Sequence, residues 1–513
     1  MQAIAQVPVA LDRESATGQS LARQIYSQLR AAIVSGELRA GSRLPPTRVV
    51  AAQLGVARLT VATAYDWLRE EGFVYGRVGA GTFVAPGVDR VGQPGEPPSL
   101  ASTPAQQRRA PPPKVHLSAW AERIAGLPLI TDEHTGRAAR FDLRPGVGAA
   151  EKFPWPRWRQ YVTAEEATRR QAPIPAGRDA FAPDRERVDA LLGPHEARHA
   201  IAAWLWRSRA VRCDAAQVMI ASSVQQVLTL LARLLIEPGE PVLIENPSYV
   251  GFHAAFEAEG AVLDGVVVDA HGLRTDLLPD AHAPRLAIVT PSHQYPTGVT
   301  LALERRVALL QWARAMGTVI IEDDYDGELR LEGQPLEALR GLDDRDEVIY
   351  IGTLAKAMYP AVRLAYAVLP GWLVELVARA RATSERHPIW HEAHAVGRFI
   401  ADGELERHLA RVRRVYRSRR DALLASIRAE LDGLVMAGPA DAGIHLLGRL
   451  ADGVNDLAAT RAAAERGVLV TALSPLYRGH AHSGLLLGFG ALAEEDATTA
   501  MRALGRAIAL AML

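Results

Sequence analysis

The sequence predicts an α/β protein in which a small helical head precedes a large body built on a mostly parallel sheet. In the body, short apolar runs alternate with stretches of helical periodicity; the runs are PVLIENP, RLAIVTPS, TVIIEDDYD, EVIYIGT and RLAYAVLP. This alternation is typical of a parallel sheet with helices on both faces. The head has three helical segments and two short Gly-rich apolar segments. A chain of 513 residues is long enough for two or three domains.

Hydrophobic spacing and turn residues define the elements of the head. A four-residue repeat predicts a first helix, which ends at Gly36: Leu21, Ile25, Leu29 and Ile33. The second helix follows Pro45-Pro46 and ends at Gly55, and the third begins after a short turn and runs to Gly72. The segment FVYGRVGAGTFVAP predicts a small hairpin. Together these elements have the layout of a winged helix-turn-helix.

A segment rich in Pro, Gly, Ser and Gln separates the head from the body. It has few large apolar side chains, so it cannot bury enough surface to offset its conformational entropy. The sequence therefore predicts a head of residues 18–86, a linker of residues 87–117 and a body of residues 118–513.

Composition excludes several classes of protein. The 58 basic and 58 acidic residues balance, so the net charge indicates nothing about nucleic acid. A single cysteine, Cys213, excludes an intramolecular disulfide framework and suits a reducing compartment. The N-terminal residues lack the pattern of a signal peptide, and no apolar run is long enough to cross a bilayer. We therefore expect a cytoplasmic protein without a membrane span.

The local charge of the head favours a nucleic-acid partner. Residues 18–86 contain eight arginines and four acidic residues. In a helix-turn-helix the third helix places its N-terminal side chains against base edges, and here these are Arg58, Thr60 and Thr63. We predict phosphate contacts at Thr47, Arg48 and Arg77 and a close approach of the wing backbone to DNA at Gly79. The alternative is a solvated surface on a small protein-binding domain.

The whole head resembles the GntR-type winged helix, which implies that it binds double-stranded operator DNA. The resemblance extends over SGELRAGSRLPPTRVVAAQLGVARLTVATAYDWLREEGFVYGRVGAGTFVA. Two positions depart from the family pattern: Ala57 stands where the family often has Ser, and Leu59 where it often has Asn. Because these positions begin the recognition helix, the departure bears on the operator sequence rather than on DNA binding itself.

Chemistry that requires a lysine amine has three candidates, because lysine occurs only at Lys114, Lys152 and Lys356. Lys114 lies in the Pro-rich linker, and Lys152 lies in a loop near FPWPRW. Lys356 follows the apolar run EVIYIGT, at the carboxyl end of a predicted strand, where parallel sheets bind their ligands. A desolvated lysine in such a place is an activated nucleophile.

Two further segments supply polar groups at the same edge of the predicted sheet. EDDYD follows the run TVII, and such a carboxylate cluster is either a metal site or an anchor for a cationic ring. No His or Cys accompanies it at zinc-ligand spacing, so we expect the ring rather than a metal. The segment from Ser222 to Gln225 opens a helix whose N-terminus can hold a phosphate. A lysine amine, an acid for a ring nitrogen and a phosphate cradle are what pyridoxal phosphate (PLP) needs from a protein.

From about residue 118 to 513 the chain resembles a fold-type I aminotransferase. The motifs ENPSY, TPSHQYPTG, EDDYD and GTLAKAMYPAVRLAY are similar to those of the MocR (GabR-like) subfamily of GntR regulators. The resemblance implies PLP as cofactor and a smaller C-terminal α+β subdomain beside the main sheet. It also implies a head-to-tail homodimer.

The resemblance also assigns roles to individual residues. It implies that Lys356 forms the Schiff base with PLP. It also implies that Asp323 pairs with the pyridinium nitrogen, with the next residue, Asp324, as the alternative. Tyr325 would contact the ring oxygen O3′, and Tyr249 would stack on the ring. Phosphate binding is implied for Thr353, Arg363 and the backbone of Ser223, Val224 and Gln225.

Several positions depart from the aminotransferase pattern. Ala355 replaces a serine often found before the lysine, and Tyr295 replaces an asparagine, which leaves His293 or Gln294 as alternative partners of O3′. The arginine that commonly clamps a substrate carboxylate is absent from GLLLGFGAL, and the nearest candidate is Arg478.

These departures favour a regulator that senses PLP, an amine or an amino acid over an enzyme with steady turnover. One alternative is an active aminotransferase with an accessory DNA-binding head. Another is a body that no longer binds PLP and serves only for dimerisation.

Overall fold

A computed structural model describes residues 8–12, 19–77, 79–87, 116–128, 139–171, 184–358, 362–385 and 390–512. The chain divides into two compact units, Met1–Val115 and His116–Leu513, each of which is considered by itself. Most of the predicted linker, residues 88–115, lies outside the described residues, so its boundaries stay a prediction.

The first unit contains the three helices and the hairpin that the sequence predicts. The helices are α1 (Leu21–Val34), α2 (Thr47–Leu54) and α3 (Arg58–Glu70), and the strands are β1 (Val74–Arg77) and β2 (Gly81–Val84). The two strands pair antiparallel. Gly55 ends α2 in the left-handed region at φ 63°, which glycine adopts without strain. The predicted winged helix-turn-helix is therefore confirmed.

The head has a hydrophobic core of its own, which fixes the direction of α3. Ile25, Leu29 and Ile33 of α1 are fully buried and pack with the buried face of α3. Tyr65 of α3 is also buried, and its hydroxyl donates to the carbonyl of Pro45 at 2.9 Å. This contact joins α3 to the segment that precedes α2.

The second unit is an α/β body. Its helices in chain order are α4 (Ala119–Ala125), α5 (Trp155–Gln171), α6 (Asp184–Leu192), α7 (His195–Arg209), α8 (Val224–Leu235), α9 (Val250–Ala258), α10 (Leu303–Met316), α11 (Leu339–Leu342), α12 (Val374–Ser384), α13 (His391–Ala401), α14 (Glu404–Glu430), α15 (Asp456–Glu465) and α16 (Ala497–Leu510). Its strands are β3 (Phe141–Asp142), β4 (Val218–Ala221), β5 (Pro241–Asn246), β6 (Val262–Asp269), β7 (Gly272–Leu273), β8 (Leu286–Val289), β9 (Val319–Asp324), β10 (Val348–Thr353), β11 (Ala365–Val368), β12 (Val435–Ala437), β13 (His445–Leu450), β14 (Val468–Leu469), β15 (Thr471–Ala472) and β16 (Gly484–Gly488). Short 3-10 segments lie between these helices and strands in the described part of the body: Ala150–Lys152, Ala215–Gln217, Thr275–Leu277, Gly327–Leu329, Ser474–Leu476 and Glu494–Asp496.

The main sheet of the body has the order β4-β11-β10-β9-β8-β5-β6-β7 within the described residues. Four adjacent pairs in this order are parallel: β10 with β9, β9 with β8, β8 with β5, and β5 with β6. β11 runs antiparallel to both of its neighbours, β10 and β4. The prediction of a mostly parallel sheet is confirmed.

The central strands are buried on both sides, which explains their apolar sequences. All four residues of β4, β8 and β11 are buried, as expected when helices cover both faces of a sheet. Because β4, β5, β8, β9 and β10 point in one direction, their carboxyl ends lie along the same edge of the sheet.

A second sheet lies in the C-terminal part of the body, in the order β12-β13-β16-β15, and all of its pairs are antiparallel. The helices α14, α15 and α16 contact one another and the short strands beside it. This is the smaller α+β layer that the sequence resemblance implies. No helix among the described residues combines the length and apolar character that crossing a membrane requires.

Candidate functional site

A cavity of about 300 Å³ lies at the carboxyl edge of the main sheet. Its walls come from the ends of β9 and β10, from the start of α8 and α9, and from segments before α5 and at the start of β13. The lining residues are Pro145, Gly146, Val224, Tyr249, Tyr295, Asp323, Tyr325, Asp326, Thr353, Ala355, Lys356, Ile444 and His445. Six of the residues predicted for the PLP site thus share one cavity: Val224, Tyr249, Asp323, Tyr325, Thr353 and Lys356.

The alternation of β9 separates its three consecutive acids. Glu322 accepts the backbone N–H groups of Leu339 and Arg340 at 2.8 and 2.7 Å. Asp324 pairs with Arg209 at 2.7 Å, in a contact that is buried on both sides. Asp323 points to the opposite face and lines the cavity. The acid placed to meet a bound ring is therefore Asp323 and not Asp324.

Asp323 is buried and lacks a partner for one of its oxygens. The side chain Oδ1 has no hydrogen bond, although a buried polar atom normally has one. Burial raises the pKa of Asp323 to about 7, and the charge of Lys356 acts in the opposite direction. A cationic N–H group in the cavity would both satisfy Oδ1 and stabilise the carboxylate, so this side chain fits the ring nitrogen of PLP.

Lys356 lies in the turn that follows β10, and its amine is inside the cavity. Its Nζ is 3.8 Å from the centroid of the Tyr325 ring. Burial lowers the pKa of Lys356, against the influence of nearby carboxylates led by Asp326. A lower pKa leaves a larger fraction of the amine unprotonated, which is the form that attacks a carbonyl.

A histidine on α14 lies beside the turn that carries Lys356. The ring of His408 is buried next to the backbone of Ala357 and Met358, directly after the lysine, and its Nδ1 has no hydrogen-bond partner. Burial lowers the pKa of His408 to about 4, so this side chain is neutral near pH 7. The sequence reasoning missed this neighbour of the turn, because α14 lies far along the chain from it.

Tyr325 is held by a buried hydrogen-bonded chain. Its hydroxyl lies 2.9 Å from Nδ1 of His293, and the same nitrogen lies 3.0 Å from a carboxylate oxygen of Asp326. With Asp326 facing Nδ1, that nitrogen carries a proton, and the hydroxyl proton of Tyr325 is free to be donated into the cavity. Tyr325 is thus placed to donate to a ring oxygen.

His293 and Gln294, the predicted alternatives to the missing asparagine, lie in the loop after β8. The amide of Gln294 donates to the carbonyl of Pro247, which follows β5, and accepts from the Thr297 hydroxyl in its own loop. His293 binds Asp326 and Tyr325 instead. Neither His293 nor Gln294 lines the cavity, whereas Tyr295 does.

Two histidines approach Asp326 from distant parts of the chain. Ligand-type atoms of His293, Asp326 and His445 lie within 4.8 Å of one another. The spacing around EDDYD cannot show this, because His293 follows β8 and His445 begins β13. Hydrogen bonds join His293 to Asp326 and to Tyr325, whereas Nε2 of His445 has no hydrogen-bond partner.

Tyr249 owes its position to a glycine two residues on. A Cβ on Gly251 would lie 2.1 Å from Cε1 of the Tyr249 ring and 2.7 Å from Oε1 of Gln225. The amide of Gln225 also donates to the carbonyl of Gly251 at 3.1 Å. Any side chain at position 251 would therefore displace the tyrosine from this place.

The predicted phosphate contacts are only partly brought together. Val224 and Thr353 line the cavity, and Val224 begins α8, where the first N–H groups have no acceptor in the helix. The side chain of Ser223 caps α8 by accepting from Gln226 N–H. Arg363 is exposed and does not line the cavity, and residues 359–361 before it lie outside the described residues. The roles of Ser223, Gln225 and Arg363 stay predictions.

A second and larger cavity of about 890 Å³ adjoins the first, and Pro145 and Tyr295 line both. Arg478 lies in its wall, where the guanidinium pairs with Glu257 at 2.7 Å. Asn246 holds this segment to the end of β5, since its amide oxygen accepts the Arg478 N–H at 3.0 Å. The candidate carboxylate clamp is thus already engaged by an acid.

The predicted DNA-binding residues are exposed or half-buried on the head. Arg58 begins α3, and its Nε donates to the Thr47 hydroxyl at 3.4 Å. The guanidinium of Arg77 lies 5.3 Å from the centroid of the Phe83 ring on the opposite strand. The three remaining polar candidates and the wing glycine also lie at the surface: Arg48, Thr60, Thr63 and Gly79. The hydroxyl of Thr63 donates to the carbonyl of Leu59, so it could meet a base only as an acceptor.

Two family models match this chain. Residues 21–84 match the bacterial regulatory proteins of the gntR family, and residues 169–499 match the class I and II aminotransferases. The chain is 33% identical over 493 residues to the probable rhizopine catabolism regulatory protein MocR of Rhizobium meliloti, covering 94% of this chain and 92% of that protein. The chain belongs to the MocR subfamily of GntR-type transcription regulators.

Other relatives agree with a MocR-type regulator. The pyridoxine biosynthesis transcriptional regulator PdxR of Corynebacterium glutamicum is 30% identical over 510 residues, covering 99% of this chain and all of that protein. Among solved structures, the α-aminoadipate aminotransferase LysN of Thermus thermophilus covers 77% of this chain and 98% of its own, with a TM-score of 0.68 and 26% identity. That enzyme was solved with N-(5′-phosphopyridoxyl)-L-leucine. This MocR-type regulator therefore combines a DNA-binding head with the fold of the PLP-dependent aminotransferases.

Proposed function

We propose that this regulator binds PLP in the cavity around Lys356 and that PLP, an amine or an amino acid at this site controls the binding of the head to DNA. The observation that carries the proposal is the pairing of a buried lysine amine with a buried acid in one cavity. Asp323 Oδ1 lacks a partner there. A small aromatic cofactor in this cavity could contact Lys356 with one end and Asp323 with the other.

The residues of the cavity suit PLP in type and position. Lys356 would hold its aldehyde end, Asp323 its ring nitrogen and Tyr325 its ring oxygen. Tyr249 would cover one face of the ring. Phosphate binding would fall to Thr353, Arg363 and the backbone N–H groups at Ser223, Val224 and Gln225.

When bound, PLP supplies an aldehyde carbon that condenses reversibly with primary amines. The chain contributes the control of protons and water around it. Burial lowers the pKa of Lys356, which favours the unprotonated amine, and Asp326 and His293 orient the Tyr325 hydroxyl. An amine that displaces Lys356 would release that side chain, and this local change is the event that we propose to bias the heads on DNA.

Among the described residues that line the two cavities, each arginine is already paired with an acid, and this guides the choice of effector. Leu485, Leu486 and Leu487 are all fully buried in β16, so this strand presents no cation. Arg478 is paired with Glu257. PLP itself or an amine without a carboxylate therefore suits the site better than an α-amino acid does.

The arrangement proposed for the working protein is a head-to-tail homodimer in the cytoplasm. Residues 18–86 would bind operator DNA, residues 87–117 would link the parts, and residues 118–513 would bind the effector and form the dimer. In the head, base contacts would come from Arg58, Thr60 and Thr63, and phosphate or wing contacts from Thr47, Arg48, Arg77 and Gly79.

The first experiment identifies the lysine that carries the cofactor. The protein is loaded with PLP, reduced with borohydride and digested, and the modified lysine is located by mass spectrometry. We expect the pyridoxyl group on Lys356 alone. Lys356→Ala should abolish the visible absorption of the loaded protein, whereas Lys152→Ala, which removes an exposed lysine, should retain it. Modification of Lys152 or Lys114 instead would contradict the proposal.

The second experiment tests the link between the two parts. Binding of the full-length protein to the DNA upstream of its own gene and neighbouring genes is measured with and without PLP and a panel of amines. We expect PLP or an amine to change the affinity in the wild type and to have no effect in Lys356→Ala. Arg58→Ala should lose DNA binding while keeping the visible absorption. If no amine and no PLP alters binding, the sensing function is wrong.

A further inference from the structure

The outward face of the recognition helix α3 is apolar near its N-terminus. Four residues of α3 are buried in the core of the head: Val61, Ala64, Tyr65 and Leu68. Helical spacing places Leu59, Ala62 and Thr63 on the opposite side. Leu59 is 76% exposed, more than any other large hydrophobic side chain of the described residues. An isolated exposed leucine needs no explanation, but this one occupies the position from which a recognition helix reads bases.

The neighbours of Leu59 extend the apolar character of this face. The Thr63 hydroxyl donates to the Leu59 carbonyl at 3.0 Å, so its hydrogen is used within the helix. The side chain of Thr63 is left to present its methyl group, and Ala62 contributes another. The exposed surface formed by Leu59, Ala62 and Thr63 therefore consists mainly of apolar groups. It has few groups that can hydrogen-bond to the polar edge of a base.

The charges around this apolar face match a nucleic-acid duplex. Arg48, Arg58 and Arg77 are all exposed, on α2, on α3 and on the wing. Two acidic residues on the same side of α3, Asp66 and Glu70, lie two and three turns further along the helix, and Asp66 pairs with Arg69 at 2.6 Å. Leu59 is thus at the basic end of the helix, where the phosphates of a duplex would be neutralised.

We propose that Leu59, with the methyl groups of Ala62 and Thr63, contacts the 5-methyl group of a thymine in the major groove and so selects T·A pairs in the operator. Thymine is the base that presents a methyl group to the major groove. If Leu59 packed against another base, it would shield a hydrogen-bond donor or acceptor of that base from water without replacing the lost hydrogen bond, which is unfavourable. This inference rests on the proposed binding of DNA by α3.

The test removes the thymine methyl group without changing the hydrogen bonds of the base. A tight-binding duplex is first selected by the full-length wild-type protein from a pool of random sequences. Each thymine is then replaced by deoxyuridine, and the dissociation constants are compared. We expect at least one thymine in each half-site at which the replacement weakens binding about three- to tenfold, the effect of losing one buried methyl contact.

Two variants assign the effect to the side chain. Leu59→Ala should bind the thymine and deoxyuridine duplexes equally well at that position. Leu303→Ala removes a leucine that is 65% exposed in the body and should keep the discrimination. Leu59→Asn should move the preference at that position from thymine towards adenine, because an amide pairs with the adenine edge.

The outcomes separate this inference from the function on which it rests. If the wild type selects no duplex at all, DNA binding by the head fails. If the wild type binds a selected duplex but deoxyuridine is neutral at every thymine, or if the discrimination survives in Leu59→Ala, the methyl contact is overturned while DNA binding stands.

Discussion

At the scale of single residues, the chemistry of the body depends on the different environments of side chains that are adjacent in sequence. Three consecutive acids end β9, and their environments differ because strand residues alternate between two faces. Glu322 and Asp324 meet backbone N–H groups and a buried arginine. Oδ1 of Asp323 and Oδ1 of Asp324 both lack a partner, but Asp324 is paired with Arg209 through its other oxygen, and only Asp323 of these three acids lines the cavity. The position of Asp323 makes it the acid that a ligand in the cavity can contact.

We predict that Asp323→Asn weakens PLP binding about ten- to hundredfold, because a hydrogen bond to an ionised group is replaced by a neutral one. The measurement is a titration of cofactor-free protein with PLP, followed by visible absorption. Asp280→Asn, at an exposed aspartate of the same body, should bind PLP as the wild type does. Equal affinity in the Asp323 and Asp280 variants would show that Asp323 does not meet the ring.

Gly251 decides the position of a second residue in the cavity. Its missing side chain leaves room for Tyr249, since a Cβ would lie 2.1 Å from the tyrosine ring. We predict that Gly251→Ala lowers PLP affinity and shifts the visible absorption of the bound cofactor. The matched control is Gly371→Ala, where a Cβ would have its nearest neighbour at 3.5 Å. An unchanged spectrum in Gly251→Ala would mean that Tyr249 does not stack on the ring.

At the scale of elements, the site is assembled from the ends of strands that are far apart in sequence. Tyr249 follows β5, Tyr295 follows β8 and Lys356 follows β10, and the parallel order of the sheet brings these ends to one edge. The buried ring of His408 on α14 also lies beside the turn that carries Lys356. A substitution at His408 should therefore alter PLP binding although this side chain does not line the cavity.

His408 gives this part of the fold a defined pH dependence. Its pKa is about 4 in the folded protein, against about 6.5 in an unfolded chain. Between these values the unfolded chain binds more protons, so stability falls as the pH falls. From about pH 8 to about pH 5 the loss due to this residue amounts to about 2 kcal/mol.

The variant His408→Leu cannot take up that proton. We therefore predict that the difference in free energy of unfolding between wild type and His408→Leu shrinks by about 2 kcal/mol from about pH 8 to about pH 5. Urea unfolding at both pH values measures it, and all other titrating groups are common to the two proteins. His408→Gln keeps a neutral donor and should retain more PLP affinity than His408→Leu. A pH-independent difference would show that His408 titrates normally.

At the scale of the whole molecule, the head and the body have separate hydrophobic cores. We predict two thermal transitions, of which PLP raises only the one that belongs to the body. At a free PLP concentration about a hundredfold above its dissociation constant, the gain is about 2.7 kcal/mol. Differential scanning calorimetry would show the shift in the wild type and in Lys152→Ala, and no shift in Lys356→Ala. A PLP-dependent shift of both transitions would mean that the two parts unfold together.

The sequence by itself determined the elements and the chemistry of this protein to a large extent. Helical spacing and punctuating glycines predicted α1, α2, α3 and the wing, because these features depend on neighbours within a few residues. The scarcity of lysine and the position of Lys356 after a buried strand predicted the reactive amine. The motifs of the body and the head predicted the family.

Only the tertiary structure decided which side chains meet. The face of β9 that turns to the cavity, the hydrogen bond from Gln294 to the Pro247 carbonyl and the pairing of Arg478 with Glu257 depend on the packing of distant elements. His408 and His445 come to the site or beside it from two separate segments, and no local pattern reveals them. Sequence periodicity reports which face of a helix or strand a residue occupies, because it depends on neighbours within a few residues. The cavity is formed by residues that are far apart in the chain, so its lining depends on how the elements pack.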